Sequence, residues 1–438
     1  MIQGYAIPNA TMLGNNGAYK SEFYKALEGA KAAGATVEDA PCLLARGVNA
    51  YNAGLPSTPS LLIVPQFYKA GNLYQDVPPF VAEDSTMRFT VSRNTTATRV
   101  NSSGLIASVA SGVPRIDWLG QSCPALLVEP SAQNQALWSR DLSVSGTWAA
   151  SGITAVRNAV GADGTASGAT TLTATAASAT ITQNISHASQ SRIFSAYMRR
   201  VSGTGQIQLT TNGGTNWQDV TLTSAFAPFN SGAQTVASGQ VGIRMIASGD
   251  VIEVDFTQAE IGPVPTSPIP TTSGAGSRAA DVISASGALV SGLIGQTEGT
   301  IYAEVDVKAL QGTVAKTFID IGATNNRIFI GFTSLASNTI RLQIDTSANP
   351  ARVDIRSTVS SAGIIKVAAA YQSGNCVLYV NGVAGTVSAN DSLSFSTLSS
   401  VFIGQTIAGT AFLNDRIRPA ALYTTRLTDA QLAELTRL

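Results

Sequence analysis

The sequence predicts a mostly-β chain in which a small α+β amino-terminal portion precedes two antiparallel β-sandwich domains of the jelly-roll type. Three observations lead there. From about residue 86 to residue 427, short runs alternate apolar and polar residues, the period-two pattern of strands with one buried face, with no long helical interruption. A stretch with prolines at 263, 265, 268 and 270 divides these runs into two groups. Charge is sparse: 12% of the 438 residues are charged, about half the usual share of roughly 25%, while 44% are hydrophobic, enough for real cores.

The elements follow in order. Ser21, Glu22 and Phe23 open a helical pattern in which Phe23, Leu27 and Ala30 recur and Gly34 stops the run. A second short helix is expected from Pro41 to Tyr51, and residues 60–78 read as two strands about a turn at Lys69-Ala70-Gly71-Asn72. Residues 86–128 alternate: Phe89 and Val91 share a face, and a hairpin turns at Ser102-Ser103-Gly104. Pro130 and the fall in charge after it set the first boundary, giving an α+β unit over 1–130. In residues 131–262, Phe194, Ala196 and Met198 share one face of a strand and Ile193, Ser195, Tyr197 and Arg199 the other. Val220 and Leu222 point inward, which turns Trp217, Asp219 and Thr221 outward. Ile252, Val254 and Phe256 are expected inward, with Glu253 and Asp255 outward.

Residues 263–278 read as an extended linker, stiff at its start and flexible at its end. The second sandwich spans 279–438. Val380-Asn381-Gly382-Val383 marks a tight hairpin, because Asn-Gly accepts the positive φ angles of a type I′ turn. Thr428 caps a final short helix whose Leu432, Leu435 and Leu438 are expected to pack back on the sandwich.

Composition also removes function classes. Twenty-seven basic residues balance 27 acidic ones, so the excess of Lys and Arg that drives phosphate binding is missing and no nucleic-acid partner is expected. A single histidine, His187, sits in a polar loop and leaves little room for imidazole-based hydrolysis. Cys42, Cys123 and Cys376 are too dispersed for a thiolate metal site; they read as buried thiols, with one disulfide left open. No metal or cofactor is expected. The opening MIQGYAIPNATML has no basic start and no long apolar run, so no secretory signal is read, and no apolar stretch reaches about 18 residues, so no membrane insertion is expected. No phosphate-loop or nucleophile-elbow run occurs.

One surface combines residues suited to a ligand. Tyr197, Arg199, Trp217 and Asp219, with Arg244 beside them, form the expected off-core face of the middle domain. Sugar rings stack their C–H faces on aromatics while their hydroxyls need planar polar partners, which these side chains supply. Glu253 and Asp255 face the same way two residues apart, a spacing compatible with a carboxylate pair around a glycosidic bond but equally with an ordinary solvated strand. No catalytic residue is assigned. Arg93, Arg99, Arg115 and Asp117 suit inter-strand or intersubunit salt bridges.

Residues 89–109, FTVSRNTTATRVNSSGLIASV, followed by PRIDW, CPALLVEP and Asn134, resemble a segment of tailed-phage virion proteins. PTSPIPTTSGAGSRAADV (265–282) is similar to the connector of the same proteins, and the LYVNG hairpin with the closing RLTDAQLAELT resembles laminin-G/concanavalin-like sandwiches. NQALWSRDLSVSGTW (134–148) is similar to the opening of a carbohydrate-binding jelly roll. The resemblance implies a non-enzymatic virion surface protein made in the host cytoplasm, a tail fibre or receptor-binding component whose amino-terminal part anchors it to other virion proteins. Low charge, abundant Ser and Thr and many sheet edges suit a symmetric oligomer, a homotrimer being the first expectation for a fibre, and a host surface polysaccharide is the expected partner. The alternatives it leaves are a capsid or tail decoration protein without glycan specificity and, behind it, a polysaccharide-degrading spike.

Overall fold

The computed structural model describes residues 59–63, 68, 69, 72–74, 88–120, 124–346 and 349–438. The two helices expected near residues 21–34 and 41–51, and Cys42 and Cys123 with their open disulfide, lie outside the described residues. What is described is mostly β, as the alternation predicts, in antiparallel sheets paired into two sandwiches.

The middle sandwich faces a five-stranded sheet with a six-stranded one. The first runs in the order Ala149–Ser151, Ala179–Asn184, Gln240–Met245, Ile207–Thr210, Gln218–Val220. The second runs Ile153–Ala159, Ala169–Ala174, Val251–Ile261, Gln190–Ser202, Ala227–Asn230, with Gln234–Val236 added to Gln190–Ser202. Inward residues from both, among them Phe194, Met198, Ile207, Leu209, Ile243 and Ile252, meet in one core with Trp148. Each such side chain contributes roughly 1.5–3 kcal/mol by leaving water. Trp148 is fully buried and donates its indole N–H to the Leu137 carbonyl at 3.0 Å, so its one polar atom is satisfied.

Parity breaks at one point. Tyr197 pairs with Asp255 but Ser195 pairs with Gln258, so two residues of Val251–Ile261 stand opposite one of its partner. This β-bulge holds Phe256 at φ 47°, and the residue expected in the core turns to the outer side of the sheet. There it packs with Val100 and Ile106 of the hairpin 97–109. Beyond the bulge Ala259 returns to the core.

The second sandwich is larger than residues 279–438. Its eight-stranded sheet includes Glu298–Val307, Gly363–Gln372 and Asp415–Tyr423, and also Leu61–Ile63, Arg115–Asp117 and Ala125–Val128. Its ten-stranded sheet continues from Val282–Ser286 into Arg88–Ser92 and the short hairpin of Tyr68–Lys69 and Asn72–Tyr74. The described strands of the segment expected as a unit over 1–130 are thus mostly sheet members of the carboxy-terminal sandwich, and the middle sandwich is an excursion of the chain between Val128 and Val282. Alternation explains the shared core: Ile340, Leu342 and Ile344 from one sheet meet Ile301, Ala303, Val305 and Val367 from the other. Asn381 and Gly382 take φ 49° and 83° between the paired Val380 and Val383, the turn that Asn-Gly implies.

The terminal helix Asp429–Thr436 begins with a capping box: Thr428 accepts from the Gln431 N–H, and the Gln431 side chain accepts from the Thr428 N–H at 2.9 Å. Leu432 is buried and Leu435 half-buried against the sheet. Leu438 does not pack as expected. The helix has ended at Thr436, Arg437 is extended, and Leu438 stands 69% exposed.

The two sandwiches are joined through a buried ionic cluster. Arg115, wholly buried, pairs with Glu129 at 2.7 Å and with Asp281; Arg93 also reaches Asp281, at 2.8 Å, and Arg278 reaches Glu129 at 3.1 Å. Ser267 donates its N–H and hydroxyl to Glu129 at 2.9 and 2.7 Å. Burial alone would push the Glu129 carboxyl up, but the Arg115 and Arg278 guanidiniums and the Lys308 ammonium hold it well below the usual carboxylate range. Asp117 pairs with Arg416 at 2.6 Å, and Arg99 donates to the Ile116 carbonyl. The segment expected as a partly flexible linker is bonded along its length: Pro268 accepts from Thr98, Ile269 from Asn134, and Gly276–Arg278 pairs with Ala132–Asn134.

Asp320 in the ten-stranded sheet is a different case. Its side chain is fully buried, Oδ2 accepts the Ile407 N–H at 3.1 Å, and Oδ1 meets only the Arg327 guanidinium at 3.6 Å, too far for a hydrogen bond. Burial therefore pushes its carboxyl up to about 6 in spite of Arg327.

Two outcomes are expected. Arg115→Met leaves two buried carboxylates short of a partner and should cost about 3–5 kcal/mol, read as a lower urea midpoint; an unshifted midpoint would contradict the role given to the cluster. For Asp320 the folded pKa lies above the ordinary 3.8, so its contribution to stability is complete below that value and is lost as pH rises through about 6. Asp320→Asn, which stays neutral, should melt higher than the parent at neutral pH, by up to about 3 kcal/mol, and the gap should close toward pH ~4. A gap of equal size at both pH values would show that ionisation is not its cause.

Candidate functional site

The outer face of the five-stranded sheet is built by the same alternation that builds the core. Ile207 and Leu209 point inward, so Gln208 points out; Val241, Ile243 and Met245 point inward, so Arg244 points out; Val220 points inward, so Asp219 points out. Register then lines these residues up across four strands, with Thr180 opposite Arg244, Arg244 opposite Gln208 and Gln208 opposite Asp219. Arg244 donates from Nε to the Gln208 oxygen at 2.6 Å, and the Gln208 amide donates to Asp219 at 2.6 Å. The Arg244 guanidinium lies 4.4 Å from the centroid of the half-buried Trp217 ring.

Three of the five residues expected at a ligand site, Trp217, Asp219 and Arg244, are therefore together. Gln208 joins them and was missed, although its place between Ile207 and Leu209 marks it as outward. It relays between cation and carboxylate, and with Nε committed to Gln208 the terminal guanidinium nitrogens of Arg244 make no hydrogen bond or ion pair among the described residues. The result is an aromatic edge beside planar donors and acceptors on an otherwise hydroxylated face.

Tyr197 and Arg199 are not part of it. Both lie on Gln190–Ser202 in the six-stranded sheet, so they leave the core on the opposite side of the sandwich. Arg199 pairs with Glu253 and stacks 4.6 Å from the Phe226 centroid. Tyr197 meets Phe256 edge-on, with centroids 6.4 Å apart at 76°, in the cluster under the hairpin 97–109. Burial there pushes its phenol well above the ordinary value. The outward direction read from parity is right for both residues. A face that points out of one sheet, however, is separated from the other sheet's outer face by the whole core.

The carboxylate pair is also dispersed in role. Glu253 is taken by Arg199, while Asp255 is buried and bidentate with Arg140 at 2.8 and 3.0 Å, and also accepts the Ala162 N–H at 2.9 Å. Arg140 is shared with Asp163. His187 is half-buried, with its Nε2 3.3 Å from the Gly239 nitrogen. Cys376 is a free buried thiol that burial pushes up to about 11. Among the described residues no three His, Cys, Asp or Glu side chains are grouped to hold a metal ion, and no helix is long and apolar enough to cross a membrane.

Comparison with known proteins bears on the larger sandwich. Residues 281–433 match the family model Laminin_G_3, described as the concanavalin A-like lectin/glucanases superfamily. Curated proteins return no match. Among solved structures, the chain is similar to the Ruminococcus gnavus IT-sialidase CBM40 at 15% identity, covering 33% of this chain and 85% of that one, with a TM-score of 0.29. It is similar to domain 4 of AbnA, a GH43 extracellular arabinanase from Geobacillus stearothermophilus, in complex with arabinotriose, at 18% identity, 36% and 73% coverage and a TM-score of 0.28. The binding domain of botulinum neurotoxin DC in complex with rat synaptotagmin II is similar at 15% identity, 35% and 39% coverage and a TM-score of 0.29. At such TM-scores these likenesses carry no argument. The family match stands for the carboxy-terminal module, where the laminin-G/concanavalin-like resemblance of the sequence had placed it.

Proposed function

We propose that the chain is a surface component of a tailed-phage particle, a tail fibre or receptor-binding protein, that holds host surface glycans without cutting them. The observation that carries the reading is the row Trp217, Arg244, Gln208 and Asp219 on the outer face of the middle sandwich. A sugar ring would lie along the Trp217 edge while its hydroxyls bond the guanidinium and carboxylate. The likeness of residues 89–134 and 265–282 to virion proteins supports the particle setting, and the family match of residues 281–433 supports a lectin-like sandwich.

In this reading the amino-terminal portion attaches to other virion proteins and the chain assembles as a homotrimer. Val383 and Val387, 65% and 51% exposed on the two end strands of the larger sandwich, support association along those edges. Three copies would make weak single sites effective together.

The decoration reading, in which the sandwiches coat the particle without sugar specificity, draws on one observation: Arg244 already occupies a face of Trp217. A polysaccharide-degrading role finds Glu253 and Asp255 committed to arginines.

Binding of the full chain to a glycan array tests the proposal. The parent should retain a defined set of glycans, and Trp217→Ala should weaken retention by about tenfold or more, equivalent to roughly 1.4 kcal/mol, without changing the melting temperature. No retained glycan, or equal retention by the variant, favours decoration; release of reducing ends from capsular polysaccharide would make the protein an enzyme.

A further inference from the structure

A cleft of about 320 Å³ opens where the hairpin 97–109, the strand Gln190–Ser202, the segment 263–268 and the larger sandwich meet. It lies on the side of the middle sandwich away from Trp217, beside the Tyr197–Phe256 contact and the buried ionic cluster. Its volume is at the small end of ligand sites, room for one ring and a substituent. Val100, Ile106, Phe256 and Pro265 supply apolar wall, and Tyr197, edge-on to Phe256, brings a phenol to the same space.

Charge within the cleft is unevenly satisfied. Its carboxylates are Asp117 and Glu129, and its cations are Arg99, Lys308 and Arg416. Asp117 is fully engaged, accepting from the Val100 N–H at 2.8 Å, the Leu119 N–H at 3.2 Å and Arg416 at 2.6 Å. Glu129 accepts from Arg115, from both donors of Ser267 and, at 3.4 Å, from Lys308, and forms an ion pair with Arg278. Of the cations, Arg416 is paired with Asp117, while Arg99 and Lys308 are less fully matched. Arg99 has no carboxylate partner among the described residues, and its hydrogen bond goes to a neutral carbonyl. The Lys308 ammonium donates to the Glu129 oxygen that the Ser267 N–H already holds, at 3.4 Å, and its side chain is 23% exposed. Arg99 and Lys308 thus bring positive charge to a half-enclosed space, where low local dielectric strengthens its attraction for an anion.

We propose that this junction cleft binds a small monocarboxylate with a ring-sized apolar body. Arg99 anchors the carboxylate, Lys308 supplies the second positive charge, the Tyr197 phenol donates a hydrogen bond, and Ile106, Phe256 and Pro265 seat the ring. A guanidinium fork matches a carboxylate in two parallel bonds, which a neutral amide cannot reproduce. Because both sandwiches contribute walls, the bound acid ties them together and stabilises the fold in proportion to its occupancy.

The probe is 4-fluorobenzoate, followed by fluorine NMR line broadening on the full chain, with 4-fluorobenzamide as its neutral counterpart. Benzoate should bind saturably, and the amide about tenfold more weakly or worse. Arg99→Gln should weaken benzoate by about tenfold, and Tyr197→Phe by a smaller factor. Absence of saturable broadening, equal binding of acid and amide, or unchanged binding by folded Arg99→Gln overturns the proposal. If Arg99→Gln does not fold, Lys308→Gln, on a partly exposed side chain, takes its place: weaker acid binding supports the site and unchanged binding overturns it. The glycan array reads a different face, so either proposal can fail while the other stands.

Discussion

The arrangement of this chain depends on one buried ionic cluster. Arg115 sits between Glu129 and Asp281, two carboxylates more than 150 positions apart in sequence, and the Glu129 N–H itself donates to Asp281 at 2.9 Å. The residues at which the chain leaves the larger sandwich and those at which it re-enters are thereby held at one place. A buried ion pair recovers its desolvation cost only when its geometry is good and further hydrogen bonds support it, and here Arg93, Arg278 and Ser267 supply further partners to the two carboxylates. An apolar cluster of the same volume would have held the segments together as tightly. It would not have specified a single register for them, because dispersion contacts are nearly indifferent to sliding whereas guanidinium and carboxylate forks are not.

That junction determines which surfaces remain available. The hairpin 97–109, carried by the segment that Arg115 ties to Asp281, comes to rest on the outer side of the six-stranded sheet. The bulge at Phe256 supplies the matching apolar contact, and the aromatic ring and the Arg140 guanidinium, 4.3 Å from its centroid, close the space. One outer face of the sandwich is thus covered, with a cleft where coverage is incomplete. The other, carrying Trp217 and Arg244, stays open. The two proposals concern these two faces and have a common origin in how the excursion is tethered.

Much of the fold is legible in the residues. Strand after strand obeys the rule that the residue between two core aliphatics faces out, and Gln208, Arg244 and Asp219 could each be assigned a direction from that rule alone. The turns at Gly104 and at Asn381-Gly382, and the capping box at Thr428, are local chemistry and fall where the sequence puts them. The failures have physical causes as well. Phe256 reverses because a single extra residue in one strand shifts the parity after it, and nothing local distinguishes a bulge from continued alternation. Leu438 misses the sheet because two residues after the helix are enough to lose its phase.

By itself, then, the sequence determined the strand class of the described sandwich segments, the inward and outward members of strands that keep their alternation, and the tight turns between them, since these depend on side-chain period and backbone freedom within a few residues. Only the tertiary structure decided which strands share a sheet, and so which outward residues can meet. Tyr197 and Trp217 both point away from the core, yet they stand on opposite sides of it. Strand pairing is a long-range property: hydrogen-bonding edges are chemically alike along every strand, and the partner is selected by packing of the assembled layers and by the buried charges that pin their ends.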